Sequence, residues 1–184
     1  MTRYFCFLRA INVGGHTVTM QKLKQLFESM GFANVETFIA SGNVIFESKL
    51  SPGAAEKLIF SSLNNALGYD VHAFLRTREE LVAIDAFKPA PSEKLDSALA
   101  YHIGFAAELF DEESRKRIAS LCSELDHLRG EGREIFWVIQ TRMSDSKVTG
   151  AAIEKSAGGR ATFRNINTVR RLLAKYPAPA KGRY

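Results

Sequence analysis

Residues 35–47, V-E-T-F-I-A-S-G-N-V-I-F-E, hold two β-rich runs, Val35 to Ala40 and Asn43 to Glu47, joined by a Ser41-Gly42 step. A connection that short makes the two strands antiparallel neighbours. What flanks this hairpin decides the fold. Upstream, Arg3 to Arg9 reads as a strand. A helix follows from about Met20 to Met30, with Thr19 to cap it and Gly31 where a C′ glycine belongs. Downstream, Ser51-Pro52 supplies an N-cap and a first-turn proline for a helix that carries Leu58, Ile59, Leu63 and Leu67 and stops at Gly68. Val71 to Arg76 is then a strand, and Thr77-Arg78-Glu79-Glu80 has the capping-box spacing for a third helix bearing Leu81, Ile84 and Phe87. Strand, helix, two strands, helix, strand is the split βαβ order of a ferredoxin-like α+β domain.

Such a sheet covers one face with its two helices. In the first strand, however, Phe5 and Phe7 alternate with Tyr4, Cys6 and Leu8, so both faces are apolar. The second face needs a cover, and the expected one is the remainder of the chain, a related α+β half packed on the first. Leu99 to Phe105 reads as a strand, Asp111 to about Cys122 as an acid-capped helix, Leu125 to Leu128 and Glu134 to Gln140 as strands, and Thr162 to Tyr176 as an amphipathic helix. The likeness of S-G-N-V-I-F to E-G-R-E-I-F-W hints at an internal duplication. Pro89 and Pro91 mark residues 87–97 as the linker. The expected organisation is residues 1–88, residues 98–176 and a flexible tail over 177–184.

The 184 residues are 46% hydrophobic and 24% charged, ordinary globular values that argue against disorder. Cys6 and Cys122 lie in apolar surroundings without a Cys or His at ligand spacing, so reduced core thiols of a cytoplasmic protein are expected. No stretch approaches the length of a membrane span, so no membrane partner is expected. The net charge of +5 is uneven: eight cations follow Glu154 and no acid does, whereas residues 1–154 carry 17 basic against 20 acidic side chains. A basic C-terminal segment invites a phosphate or polyanion partner.

Three stretches could carry chemistry. In L-R-A-I-N-V-G-G-H, residues 8–16, Arg9 and Asn12 precede Gly14 and Gly15, whose backbone could approach an anion. The spacing matches neither nucleotide-binding glycine fingerprint, and a glycine pair after a strand is most often just a turn. Ser41-Gly42-Asn43 would open at one end of the sheet, or simply turn the hairpin. Thr162-Phe163-Arg164-Asn165 is expected at a helix N-terminus, where free N–H groups and an arginine suit an anion. Catalytic patterns are missing. The four histidines are scattered, no G-x-S-x-G occurs, and the acidic pairs sit at helix starts, so neither a metal nor a cofactor is expected and no reaction is assigned.

These three segments together resemble a bacterial family called domain of unknown function 1697. The positions that match are Arg9, Asn12, Gly14, Gly15, Ser41, Gly42, Asn43, Thr162, Arg164, Asn165 and Thr168. Ala10 stands where the family usually has glycine, His16 replaces a lysine, Phe163 a threonine and Ile166 a tryptophan. The resemblance implies a two-part ferredoxin-like α+β protein and supplies no activity. The expectation drawn from the residues is a small anionic ligand, phosphate- or carboxylate-bearing, held between the halves by Arg9, Asn12, Gly14, Gly15, Ser41, Asn43, Arg164 and Asn165. Two alternatives stay open: a nucleic acid held by the basic C-terminal segment, and a structural or protein-interaction unit that pairs, for example, as a homodimer.

Overall fold

The computed structural model describes residues 1–12, 15, 17–39 and 42–178. Gly14, His16 and Ser41 lie outside these residues, as does the expected tail from residue 179 onward. The chain forms two compact units, Met1–Glu80 and Leu81–Tyr184.

The first unit contains β1 (Thr2–Arg9), α1 (Met20–Ser29), β2 (Ala33–Thr37), β3 (Asn43–Ser48), α2 (Pro52–Leu67) and β4 (His72–Arg76). Its sheet has the order β2-β3-β1-β4, and every neighbouring pair is antiparallel. This is the ferredoxin-like arrangement that the hairpin and its flanking helices imply. Local chemistry sets the element ends. Thr19 Oγ1 accepts the Lys22 N–H at 3.1 Å, Ser51 caps α2 ahead of Pro52, and Gly68 closes α2 at φ +79°. Leu23 and Phe27 of α1 and Ile59 and Leu63 of α2 pack with Tyr4, Cys6, Leu8, Val44 and Phe46 into one core. The alternate face of the sheet is buried as well: Phe5 is 1% exposed and Phe7 0%. Neither ring therefore presents a surface on which an RNA base could stack.

The capping box at Thr77 forms as its spacing requires. The Thr77 N–H donates to Glu80 Oε2 at 2.7 Å, and the Glu80 N–H donates to Thr77 Oγ1 at 3.3 Å. It starts α3 (Arg78–Ala86), within which the division between the units falls.

The second unit repeats the order with β5 (Ala100–Ala106), α5 (Glu112–Ala119), β6 (Asp126–Glu131), β7 (Glu134–Ile139), α6 (Gly150–Ala157) and β8 (Ala161–Asn165), its sheet running β6-β7-β5-β8. Before β5 comes α4 (Ser92–Asp96), and after β8 comes α7 (Ile166–Lys175). Five expectations need correction. Cys122, expected in the core like Cys6, is exposed. The proline-flanked stretch 87–97 contains a short helix. The strand expected to stop at Leu128 continues to Glu131, so Gly130 lies inside β6, where a Cβ would come within 2.9 Å of Ile118 Cδ1. The glycine is there for close helix packing. Helix α6 had no counterpart in the sequence reading. Finally, Thr162 to Asn165 is strand, not helix: Thr162 pairs with Phe105, and Arg164 with Ile103. Pairing with β5 outweighs the helical periodicity there, so α7 begins only at Ile166. From that point its faces are as expected, with Ile166, Val169 and Leu172 buried.

Candidate functional site

The residues singled out from sequence fall into different units. Arg9, Asn12, Gly15 and Asn43 belong to the first, Arg164 and Asn165 to the second. In the first unit, the segment leaving β1 meets the turn that enters β3. The Leu8 N–H donates to the Gly42 carbonyl at 2.9 Å, and a Cβ on Gly42 would come within 2.6 Å of Ile11 Cγ2. Asn12 Oδ1 accepts the Val18 N–H at 2.7 Å, which ties the end of the β1 exit to the approach to α1. Asn43 is 1% exposed, and its amide donates to the Phe38 carbonyl at 3.0 Å. Both asparagines thus close their own loops. Gly15 adopts φ +86° with open space around it, and Arg9 is half-buried at the end of β1.

In the second unit, Arg164 extends from a strand. Its Nη1 donates to Thr162 Oγ1 at 2.9 Å and to the Phe163 carbonyl at 2.8 Å. Asn165 is the N-cap of α7, its Oδ1 accepting the Asn167 N–H at 2.9 Å. Asn165 also lines a cavity of about 400 Å³ that sequence reasoning did not find. The cavity is built where the end of α3, α4, the start of β5 and the first turn of α7 converge.

Its polar lining is largely unengaged. Arg170, on the first turns of α7, donates from Nε to Asp85 Oδ1 at 2.8 Å. That ion pair occupies one edge of the guanidinium and fixes its direction, and the edge formed by Nη1 and Nη2 has no partner among the described residues. Two parallel N–H donors on one rigid plane match a carboxylate or phosphate. The Lys88 ammonium, the Asn167 side-chain amide and the Ser92 hydroxyl likewise have no partner among the described residues. The Tyr101 hydroxyl is shielded from solvent and makes no hydrogen bond. Burial pushes this phenol well above its ordinary value; the Arg170 charge works against that rise and the Asp85 carboxylate adds to it. Tyr101 therefore stays protonated as a donor across the physiological range.

In two other cavities of this unit, some of the lining charges already have partners. One, of about 370 Å³, has Leu121, Leu125 and Val148 on its walls. Its buried Asp126 accepts from Trp137 Nε1 at 2.9 Å and Ser146 Oγ at 2.8 Å. The other, of about 440 Å³, runs between α5 and β6, where Lys116 pairs with Glu112 and Arg129 with Glu131. No histidine or cysteine lines the cavity beside Arg170. Among the described residues, no cluster of His, Cys, Asp and Glu could hold a metal ion, and no helix is long and apolar enough to cross a membrane.

Nothing in the sequence spacing marks Tyr101, Lys88, Asp85 and Arg170 as a group. The available signal was local: a lysine and a run of polar residues around Pro89 and Pro91, at the entry to a strand.

A solved structure similar to this chain is that of the conserved bacterial protein SP0830 from Streptococcus pneumoniae, with a TM-score of 0.73 and 25% sequence identity over 95% of this chain and 98% of that one. Comparison with curated proteins finds no match. Residues 1–136 match the model of a family described as a protein of unknown function, DUF1697, and the chain belongs to that family.

Proposed function

We propose that this protein binds a small anionic ligand, carrying a phosphate or carboxylate, in the cavity beside Arg170. The observation that carries the reading is the set of donors without protein partners: the outer edge of the Arg170 guanidinium, the Lys88 ammonium, the Tyr101 hydroxyl and the Asn167 amide. The Tyr101 hydroxyl is the shielded member of the set, and a buried donor left unmet costs free energy; an anion would satisfy it together with the exposed Arg170, Lys88 and Asn167 groups. A volume of about 400 Å³ suits a metabolite-sized guest. The Asp85 ion pair holds the guanidinium in place before the ligand arrives, which reduces the ordering cost of binding.

The test is calorimetric titration and thermal unfolding of the full chain against inorganic phosphate, sugar phosphates and small carboxylates. At least one probe should raise the melting temperature and bind measurably. Arg170→Ala should weaken it by about 10- to 100-fold, the effect of losing a charge-assisted hydrogen bond. Tyr101→Phe, which keeps the ring, should weaken it less. A panel with no binder, or an Arg170→Ala variant that binds as the parent does, refutes the proposal.

A further inference from the structure

We infer that the ligand of this cavity is a polyhydroxylated anion, of the sugar-phosphate or hydroxy-acid class, and not a simple acyl, aryl or nucleobase-bearing anion. The inference rests on the anion-binding reading above and concerns the remainder of the guest. Alongside its donors the cavity presents two carboxylates. Asp96 ends α4 and has no partner among the described residues. Asp85 gives only Oδ1 to Arg170. An ionised carboxylate accepts hydrogen bonds and cannot donate them. A bare anion would bring acceptors only, would give no donor to Asp96 or to the second oxygen of Asp85, and would feel their like charge. A guest whose anionic group is attached to hydroxyls brings donors for Asp96 and Asp85 and acceptors for Arg170, Lys88 and Tyr101. The walls of the cavity then match both ends of one molecule.

The aromatic content of the lining gives little platform for a nucleobase. Phe87 and Tyr101 are its aromatic residues. The Phe87 ring already packs against Phe136, with centroids 4.6 Å apart, and has the Arg129 guanidinium 5.2 Å from its centre. Tyr101 contributes a shielded hydroxyl. The Phe87 ring is thus engaged by Phe136 and Arg129, whereas a polyol needs no stacking face.

The experiment is calorimetric titration of the full chain with two matched pairs: glycerol 3-phosphate against propyl phosphate, and glycerate against propionate. In at least one pair the hydroxylated member should bind at least about tenfold more tightly. In Asp96→Ala, an exposed position whose loss the fold tolerates, the preference should fall below about threefold while the plain anion binds as well or better. Equal affinity within both pairs overturns the inference and leaves the anion site standing. A preference that survives Asp96→Ala also overturns it, since the hydroxyls would then be read elsewhere. If none of the four probes binds and Arg170→Ala changes nothing for any anion, the site itself fails and the inference with it.

Discussion

Ala10 turns the chain out of β1 at φ +69°, a left-handed conformation that costs an L residue about 1–2 kcal/mol by crowding Cβ against the next carbonyl. The glycine that the family resemblance implies at this position would suit that dihedral. Ala10→Gly should therefore stabilise the fold by about 0.5–1 kcal/mol, the relief of strain less the added freedom of the unfolded chain. A denaturant midpoint that moves down instead of up would refute this. His102 carries a second residue-scale consequence. It sits on β5 opposite Trp137, and its Nδ1 is shielded without a partner. Burial holds its imidazole below the ordinary value of 6.5. Below pH about 6.5 the unfolded chain then takes up a proton that the folded chain refuses. Its contribution to stability is whole above that pH and is lost as pH falls through the depressed folded value. Melting temperatures should drop from pH 7.5 to 5.5, and His102→Gln should flatten that slope; an unchanged slope would sink the assignment.

At the scale of elements, legibility depended on how local the cause was. Caps and helix stops are contacts between residues three to five apart, so Thr19, Ser51, Gly68 and the Thr77–Glu80 box were readable in advance. The β8–α7 boundary was not, because Thr162-Phe163-Arg164-Asn165 continues the helical spacing of α7 and becomes strand only through its ladder with β5. A local signal for α6 did exist. S-P-G-A-A-E-K opens α2 at residue 51, and T-G-A-A-I-E-K opens α6 at residue 149. Each has a capping hydroxyl, small residues and then a glutamate and a lysine. The two glutamates do the same work. Glu56 accepts the Leu75 N–H of β4 at 2.9 Å, and Glu154 accepts the Ala161 N–H of β8 at 2.8 Å. Each helix thus ties down a backbone donor of the strand that follows it. Glu154→Ala should remove this acceptor from the buried Ala161 N–H and cost about 2 kcal/mol, while Glu154→Gln, which keeps an acceptor oxygen, should recover most of that. Equal losses in the two variants would show that the hydrogen bond is not the cause.

For the whole molecule, the two sheets share one connectivity, β2-β3-β1-β4 and β6-β7-β5-β8, and each is apolar on both faces. The cavity beside Arg170 escaped sequence reading for a reason that belongs to this scale. Its walls come from four elements spread from Asp85 to Arg170, and convergence of distant segments leaves no spacing to read. The two asparagines that the sequence motifs marked, Asn12 and Asn43, hydrogen-bond to the backbone of Val18 and Phe38. Double-faced burial, by contrast, was visible in β1 as an unbroken run from Tyr4 to Leu8, and it is general. On the faces opposite the helical cores, Phe5, Phe7, Ile45 and Phe74 are buried in the first unit, as are Ile103, Phe105, Phe136 and Val138 in the second. A sheet with one solvated face would tolerate truncation there. This one should not: Phe7→Ala should cost about 3–5 kcal/mol, the range for removing a fully buried phenylalanine, and so should match Phe46→Ala on the helix-covered face. Both variants belong in the same equilibrium denaturation series. A loss below about 1 kcal/mol for Phe7→Ala, with the full loss for Phe46→Ala, would mean that the second face carries no core.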